Sequence, residues 1–349
     1  MNSRRIAIIL MALVAASCTT QIILEPADPS VKVVMNALLK TSQTEHMILL
    51  SASSVSDTQD LQDATVTVSI NGGAPVVATY QPYNPDDEYL FKRSRASYYL
   101  YRGTFNPGDK VRVEAKTKYG NVHADVVVPD KVNMADVDTL RTIIRGSGYT
   151  EVNMQFKILI SDKAATDDFY RLTFYKNECY EPEAGQGKEN MTSYLYADGS
   201  SDPVLSEGTL NTGDLLSELL EIDNTYLIFN DNTFPGASRT LRVNVNMENL
   251  IAGFSFNNPL PEYESGYTIV AMEHLSFEHY YYLKALTNLS NLGYNASFFF
   301  EPTTIPSNVE GGLGFVAVSA CSDAVWFKIP DDIYLYEVRY REEHPEMYY

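Results

Sequence analysis

Polar and apolar positions alternate with a period of two over most of this chain, the rhythm of half-buried β-strands. In "DATVTVSI", Ala64, Val66, Val68 and Ile70 face one way and Thr65, Thr67 and Ser69 the other, and Asn71-Gly72-Gly73 follows with turn chemistry. "KVRVEAKTKYG" sets Val111, Val113 and Ala115 against Lys110, Arg112, Glu114 and Lys116. "NVHADVVVPD" groups Val122, Ala124, Val126 and Val128 before Pro129, and Tyr119-Gly120 joins these two runs as a hairpin. Upstream, "VKVVMNALL" and "HMILLSAS" predict two more strands, and Pro107-Gly108-Asp109 makes a turn into the strand that follows it. Residues 31–130 therefore predict a strand-only unit with the size and rhythm of an immunoglobulin-like sandwich.

Lys131 to Asp138 links this unit to a longer second half, 131–349. There "VNMQFKILI" places Val152, Met154, Phe156, Ile158 and Ile160 on one face, and "TLRVNVNM" does the same with Leu241, Val243, Val245 and Met247. "FYRLTFYK" and "YTIVAMEHL" predict further strands. Two helices interrupt them. "TGDLLSELLEI" carries leucines at helical spacing behind Asp214 as its cap, and "SFEHYYYLKALTNLS" starts at Ser276 with Phe277, Tyr280, Leu283 and Leu286 along one stripe. Residues 181–208 are polar and aperiodic and predict a long loop. The fold class expected is mostly β: an N-terminal immunoglobulin-like β-sandwich followed by a larger strand-rich domain with one or two helices.

The N-terminus breaks the rhythm. Arg4 and Arg5 precede an unbroken apolar run of eleven residues, Ile6 to Ala16, whereas a membrane-spanning helix needs about 20. A basic start, a short apolar core and small residues before a break predict a signal peptide over residues 1–17. Cys18 directly after it resembles the lipobox of bacterial lipoproteins, where the thiol takes a diacylglycerol and becomes the mature N-terminus. The leucine usual three places before the cysteine is here Ala15, with Leu13 further upstream. The alternative is a plain signal peptide in which Cys18 is incidental. Residues 18–30, with Pro26 and Pro29, then form a lipidated tether holding the body just off a membrane.

Composition narrows the partners. The 349 residues are 45% hydrophobic, normal for a globular protein, and carry a formal net charge of −19. Loss of Arg4 and Arg5 with the signal would deepen that charge. Such a surface repels nucleic acid and anionic headgroups alike, so membrane attachment falls to the lipid anchor. With Cys18 lipidated, Cys179 and Cys321 remain as an even pair, either a disulfide or two separate thiols. No Cys or His neighbour has zinc-ligand spacing.

Catalytic signatures are missing from the sequence: no H-E-x-x-H, no G-x-S-x-G and no phosphate loop. The reading is of no enzyme, no cofactor and no metal site. Gly311, Gly312 and Gly314 in "EGGLG" precede the strand-like "FVAVSA" and are read as loop-closing glycines. His274 and His279 are read as surface or capping residues. Asp86-Asp87 and Asp167-Asp168 are read as solvated surface, with one weak calcium site among the acids conceivable. "FNDNTFPG" suits a tight turn better than a set of oxygen ligands. Tyrosine numbers 25, clustered at Tyr98, Tyr99 and Tyr101, at Tyr280 to Tyr282, and at Tyr294 beside Phe298 to Phe300. Exposed, such rings would bind peptide or glycan; as strand formers they pack.

The order of "VVMNALL", "LQDATVTV", "GTFNPGDKVRVEAKTKYGNVHADVVVP", "FNDNTFPG", "LSFEHYYYLKAL" and "IPSNVEGGLGFVAVSA" resembles a Bacteroidota lipoprotein family catalogued as domain of unknown function 4249. The resemblance implies a lipid anchor in the outer membrane, with the body at the cell surface. It further implies an accessory of TonB-dependent transporters and associated lipoproteins, and it transfers no catalytic residue. Thr19, Thr20 and Gln21 are not the acidic run associated with surface export, so outward or periplasmic orientation stays open. The expected role is a non-catalytic binding or accessory subunit in nutrient uptake, and the alternative is a structural or adhesive cell-surface protein.

Overall fold

A computed structural model describes residues 31–53, 58–83, 96–146, 149–163, 166–180, 189–207, 224–246, 266–296 and 305–328. In chain order the strands of the first part are β1 (Lys32–Lys40), β2 (Glu45–Ser53), β3 (Thr58–Asp60), β4 (Thr65–Ile70), β5 (Val76–Val77), β6 (Thr79–Gln81), β7 (Tyr98–Arg102), β8 (Lys110–Thr117) and β9 (Gly120–Val127). Then come β10 (Met134–Gly146), β11 (Tyr149–Ser161), β12 (Phe169–Tyr180), β13 (Glu189–Tyr194), a short helix α1 (Pro203–Glu207), β14 (Ile228–Asn230) and β15 (Ser238–Asn246). The last elements are β16 (Tyr267–Leu275), the long helix α2 (Phe277–Ala296), β17 (Val316–Cys321) and β18 (Val325–Lys328). The protein is mostly β, as its alternation predicts.

One 11-stranded sheet organises the rest, in the order β13-β12-β16-β17-β1-β2-β7-β6, with β14, β18 and β3 paired to it off that path. A four-stranded sheet, β5-β4-β8-β9, and a three-stranded sheet, β10-β11-β15, complete the architecture. Residues opposite one another in a ladder point to the same side. Leu39 stands opposite Val318, and Ala320 opposite His274, so one side of the large sheet carries Leu39, Val318, Ala320, His274 and Met272. That side holds both hydrophobic cores. The first gathers Val33, Met35, Ile48 and Tyr99 with Val66, Val113 and Val122 of the four-stranded sheet. The second gathers Leu172, Phe174, Val270 and Met272 with Phe156, Ile158 and Val243 of the three-stranded sheet. Two β-sandwiches thus share one long sheet, and the small sheets stack on its same side.

The division at 130/131 does not separate the strands. β17 comes from the far end of the chain yet runs parallel to β1 and antiparallel to β16, and Val309, Val316 and Val318 belong to the first core. Residues 181–208, expected as loop, contribute β13 and α1. The helix expected over 212–222 lies outside the described residues. α2 begins as its sequence predicts, with the Ser276 hydroxyl accepting the His279 amide at 3.2 Å. Tyr280 and Leu283 of its stripe are buried, whereas Phe277 is exposed against Phe169.

Two devices fix this arrangement. The first is the turn at 310–315. Leu313 donates to Val33 O at 2.8 Å and Met35 donates to Leu313 O at 2.9 Å, while Glu310 and His123 exchange backbone bonds at 2.8 and 3.1 Å. The turn therefore stitches β1 to β9. Gly311 sits at φ +78 where a Cβ would lie 2.6 Å from Asn121 O, and a Cβ on Gly312 would lie 2.5 Å from Val33 O. Gly314, at φ +112, passes as closely over Met35. Only glycine meets both the backbone angle and the contact. The second device protects the long edge strand β10. Alternate amides of an edge strand face away from its partner, and the Val137 and Thr139 amides donate to the preceding Asp136 and Asp138 carboxylates at 3.0 and 2.8 Å.

Gly311→Val is expected to lower stability by about 2–3 kcal/mol, from a strained left-handed residue and a backbone contact; calorimetry checks this, and an unchanged Tm would refute it. Replacing Asp136 and Asp138 together by Ala should leave stability within about 0.5 kcal/mol of the parent but raise self-association, since the edge then offers free amides. Sedimentation at graded concentration reads the difference.

Candidate functional site

The side of the large sheet away from the two cores carries the polar chemistry. Register places Asn36, Leu38 and Lys40 of β1, Met47 and Leu49 of β2, Leu100 and Arg102 of β7, Glu273 of β16 and Arg171 and Tyr175 of β12 on that face. α2 covers its middle, where Tyr280 and Leu283 pack with Ile228 and Leu275. Beyond the helix no described element covers the face.

In the open part lies a cleft of about 600 Å³, within the size range of ligand sites. Its floor is aliphatic: Leu38, Met47 and Leu49, exposed by 41%, 47% and 37%, beside Leu100. Asn36, Gln43 and Gln81 add amides, and Tyr98 and Tyr282 add rings. The charged residues of the lining among those described, Glu45 and Arg102, are paired with each other at 2.8 Å. Tyr282 arrives from α2, and its ring lies flat on Phe315, with centroids 4.3 Å apart and planes 5° from parallel. Phe315 in turn donates its amide to Asn36 Oδ1 at 2.9 Å. The wall of the cleft thus rests on the residue that follows the glycine turn.

Beside the cleft, where β1, β17, β16 and β12 meet, charges are buried. Lys40 Nζ donates to Glu273 Oε1 at 2.6 Å and to Tyr175 OH at 3.1 Å, and Ser319 Oγ donates to Glu273 Oε2 at 2.8 Å. Burial alone would push the Glu273 carboxyl up; Lys40 and Arg171 together pull it down to about 2. Burial likewise disfavours the Lys40 ammonium, and the Glu273 carboxylate more than reverses this, raising its pKa. The pair is ionised and desolvated, so removing one partner would cost far more than the pair contributes in net stability. Next to it, His279 is 2% exposed and neither ring nitrogen has a hydrogen-bond partner. Burial lowers its pKa to about 4, against an opposing pull from Glu273.

A third polar knot lies where β12 begins, beside His274 of β16. Asp162, Asp168 and Asp231 bring carboxylate oxygens within 4.8 Å of one another. All-oxygen donors are the type a hard divalent cation takes. Here those oxygens serve the fold: Asp162 accepts from Tyr170 OH at 2.8 Å and from the Gly236 amide at 2.7 Å, and Asp168 accepts from Thr166 at 3.0 Å and faces His274 Nε2 at 3.2 Å. Burial, with the neighbouring carboxylates adding to it, raises the Asp231 pKa.

Several expectations are corrected. His274 and His279 are interior rather than surface residues, and Asp168 is buried rather than solvated. "FNDNTFPG" makes its turn, with Phe234 donating to Asp231 O at 2.8 Å, and also delivers Asp231 to the carboxylate knot. The disulfide left open between Cys179 and Cys321 is not formed. Cys321 is a buried free thiol opposite Glu273, which is itself opposite Arg171. Cys179 lies eight residues further along β12, roughly 26 Å at strand rise, and a disulfide needs its Cα atoms within about 7 Å. Tyr99, Tyr101 and Tyr280 pack inside, Tyr98 is buried at the lining of the cleft, and Tyr281 is exposed. Asp86-Asp87, Tyr294, Phe298 to Phe300 and Cys18 fall where no side chain is described. Sequence reasoning missed Lys40 and Glu273, whose meeting depends on β17 joining β1 to β16, and the cleft floor, which depends on β2 pairing with both β1 and β7.

The sequence profile of a family described as "Domain of unknown function (DUF4249)" matches residues 19–323, and the chain belongs to that family. A comparison with curated proteins found no match to the chain. Among the described residues no helix is long and apolar enough to cross a membrane.

His279→Leu should raise stability by about 1–3 kcal/mol, the cost of an unsatisfied buried polar group. It should also reduce acid sensitivity. A histidine whose pKa falls from 6.5 to about 4 on folding carries no proton-binding penalty above 6.5, and the fold loses stability as pH drops from there towards 4, because the unfolded chain takes up the proton first. The Tm difference between pH 7 and pH 4.5 should therefore shrink in the variant. Glu273, with its pKa depressed from 4.5 to about 2, contributes acid sensitivity below pH 4.5 in both proteins. An identical pH profile would count against the buried neutral imidazole.

Proposed function

We propose that this chain is an outer-membrane lipoprotein, acylated at Cys18, that serves as a non-catalytic binding or accessory subunit of a TonB-dependent nutrient-uptake system. The observation that carries the reading is the open cleft above β1, β2 and β7. A sheet face solvated on one side needs only polar residues there, yet Leu38, Met47 and Leu49 stand together in a concave site. Charges that satisfy each other, Glu45 with Arg102, suit holding a ligand rather than transforming it. The lipobox-like "LVAASC" and the short apolar run before it support an anchor at residue 18. The family resemblance supports the transporter as partner and an outer-membrane, Bacteroidota setting.

Two measurements on membranes from the native host test this. Intact-mass analysis of the mature protein should find a diacylglyceryl group on residue 18, lost in Cys18→Ala, which should then be released without detergent. Affinity purification after mild solubilisation should recover a large outer-membrane transporter with the chain. An unmodified residue 18 would remove the anchor; recovery as a lone monomer would remove the accessory role.

A further inference from the structure

We infer that the cleft on the outer face of β1, β2 and β7 binds short peptides that carry apolar side chains and no net negative charge. The inference deepens the binding role proposed above and rests on it.

The floor sets the first term. Leu38, Met47, Leu49 and Leu100 form a continuous aliphatic surface across three neighbouring strands, and Leu49 stands opposite Asn36 and Met47 opposite Leu100 in the ladders. Buried against a ligand, such a floor contributes about 25 cal/mol per Å² of apolar area removed from water. A sugar gains little there, since carbohydrate sites rely on open aromatic faces. The two rings of the cleft do not offer them: Tyr98 is 6% exposed, and one face of Tyr282 is taken up by Phe315. Leucine and methionine accept aliphatic and aromatic side chains instead, and methionine adapts to several shapes.

The rim sets the second. A peptide backbone offers donors and acceptors in alternation, and side-chain amides such as those of Gln43 and Gln81 offer both. Among the described residues no unpaired charge selects an ionic group, because Glu45 and Arg102 neutralise one another. The exposure of both partners leaves that pair able to exchange for a peptide's own termini at small cost.

Charge sets the third. The described lining of the cleft is locally neutral, on a chain of net charge −19. The field of such a body repels acidic ligands and draws neutral-to-basic ones, most strongly at low salt. Complementarity therefore favours peptides with Lys or Arg over those with Asp or Glu.

The test titrates the purified chain, residues 19–349, with acetyl-Leu-Leu-Lys-Leu-amide, with acetyl-Leu-Leu-Glu-Leu-amide and with maltohexaose, by calorimetry at low salt and at 0.5 M salt. Saturable binding of the lysine peptide is expected, at least fivefold tighter than the glutamate peptide at low salt, with the gap closing at high salt. The double variant Met47→Gln with Leu49→Gln should weaken the lysine peptide at least tenfold. Both side chains face solvent, so its Tm should match the parent's; if it does not, Leu38→Gln takes its place. Val127→Gln, an exposed change on β9 outside the cleft, should leave binding unaltered. Binding of maltohexaose in preference to either peptide would overturn the peptide assignment and keep a binding role. Peptide binding indifferent to Met47, Leu49 and Leu38 would overturn the site. No binding of any of the three probes would overturn the inference, and co-recovery with a transporter would then decide separately whether an accessory role survives.

Discussion

One strand holds this molecule together. β17 lies between β1, near the start of the described chain, and β16, from its second half. Without it the large sheet would be two sheets, and each sandwich would present a bare edge. Its six residues are all buried, because both faces are covered: Val316 and Val318 enter the first core, and Ser319 reaches Glu273 under α2 on the other side. A parallel strand buried on both faces reads as a near-continuous apolar run, and "VAVSAC" is one broken only by Ser319, the residue that reaches Glu273. The cost is a contact between residues some 280 positions apart, where loop closure grows only logarithmically with length. Topology of this kind slows folding more than it weakens the folded state.

The same seam explains why charges are buried where they are. Lys40 is the last residue of β1 and Glu273 lies near the end of β16, so the ion pair at 2.6 Å spans the strand that joins the two sandwiches. Two charges taken from water barely repay their desolvation, but either alone would be costly. Their pairing thus disfavours arrangements in which β17 slips or is absent more than it lowers the energy of the native state. Asn36 and Asn308 act alongside it with neutral groups. Asn308 exchanges two bonds with the Val316 backbone at 2.7 and 2.8 Å, and Asn36 accepts the Phe315 amide. The glycine turn between them lets the backbone approach β1 closely enough for all of these.

Much of the fold could be read from local pattern. The strands β1, β2, β4, β8 and β9 and the cap of α2 follow from period-two alternation, from turn residues and from Ser276, all decided within a few neighbours. The glycines of "EGGLG" were legible as a loop that only glycine can close, though not which strands it closes against. What could not be read was long-range. Nothing in the neighbourhood of Glu273 distinguishes a solvated acid from one facing Lys40 across β17. His279 looked like a helix-start residue because its amide is capped there, while its ring goes inward. Asp168, in a polar "TDDF", was read as surface for the same reason. Cys179 and Cys321 formed a plausible pair only while the register of β12 against β16 was unknown.

The cleft is the part that folding does not account for. Single exposed apolar residues are common on soluble proteins and mean little; contiguous ones in a concavity are another matter. The inner faces of β1 and β2 are fixed by packing, the seam by hydrogen bonds and charge, and the turn by backbone geometry. None of these constraints acts on Leu38, Met47 or Leu49, whose side chains point away from every core. On an outer strand face, threonine or lysine at those positions would keep the alternation, the β propensity and the register. Three aliphatic residues there, walled by a tyrosine that α2 holds flat against Phe315, are a choice made at solvent. It is the combination of that apolar floor with a self-neutralised rim, on a body otherwise crowded with acid, on which the proposed recognition role rests.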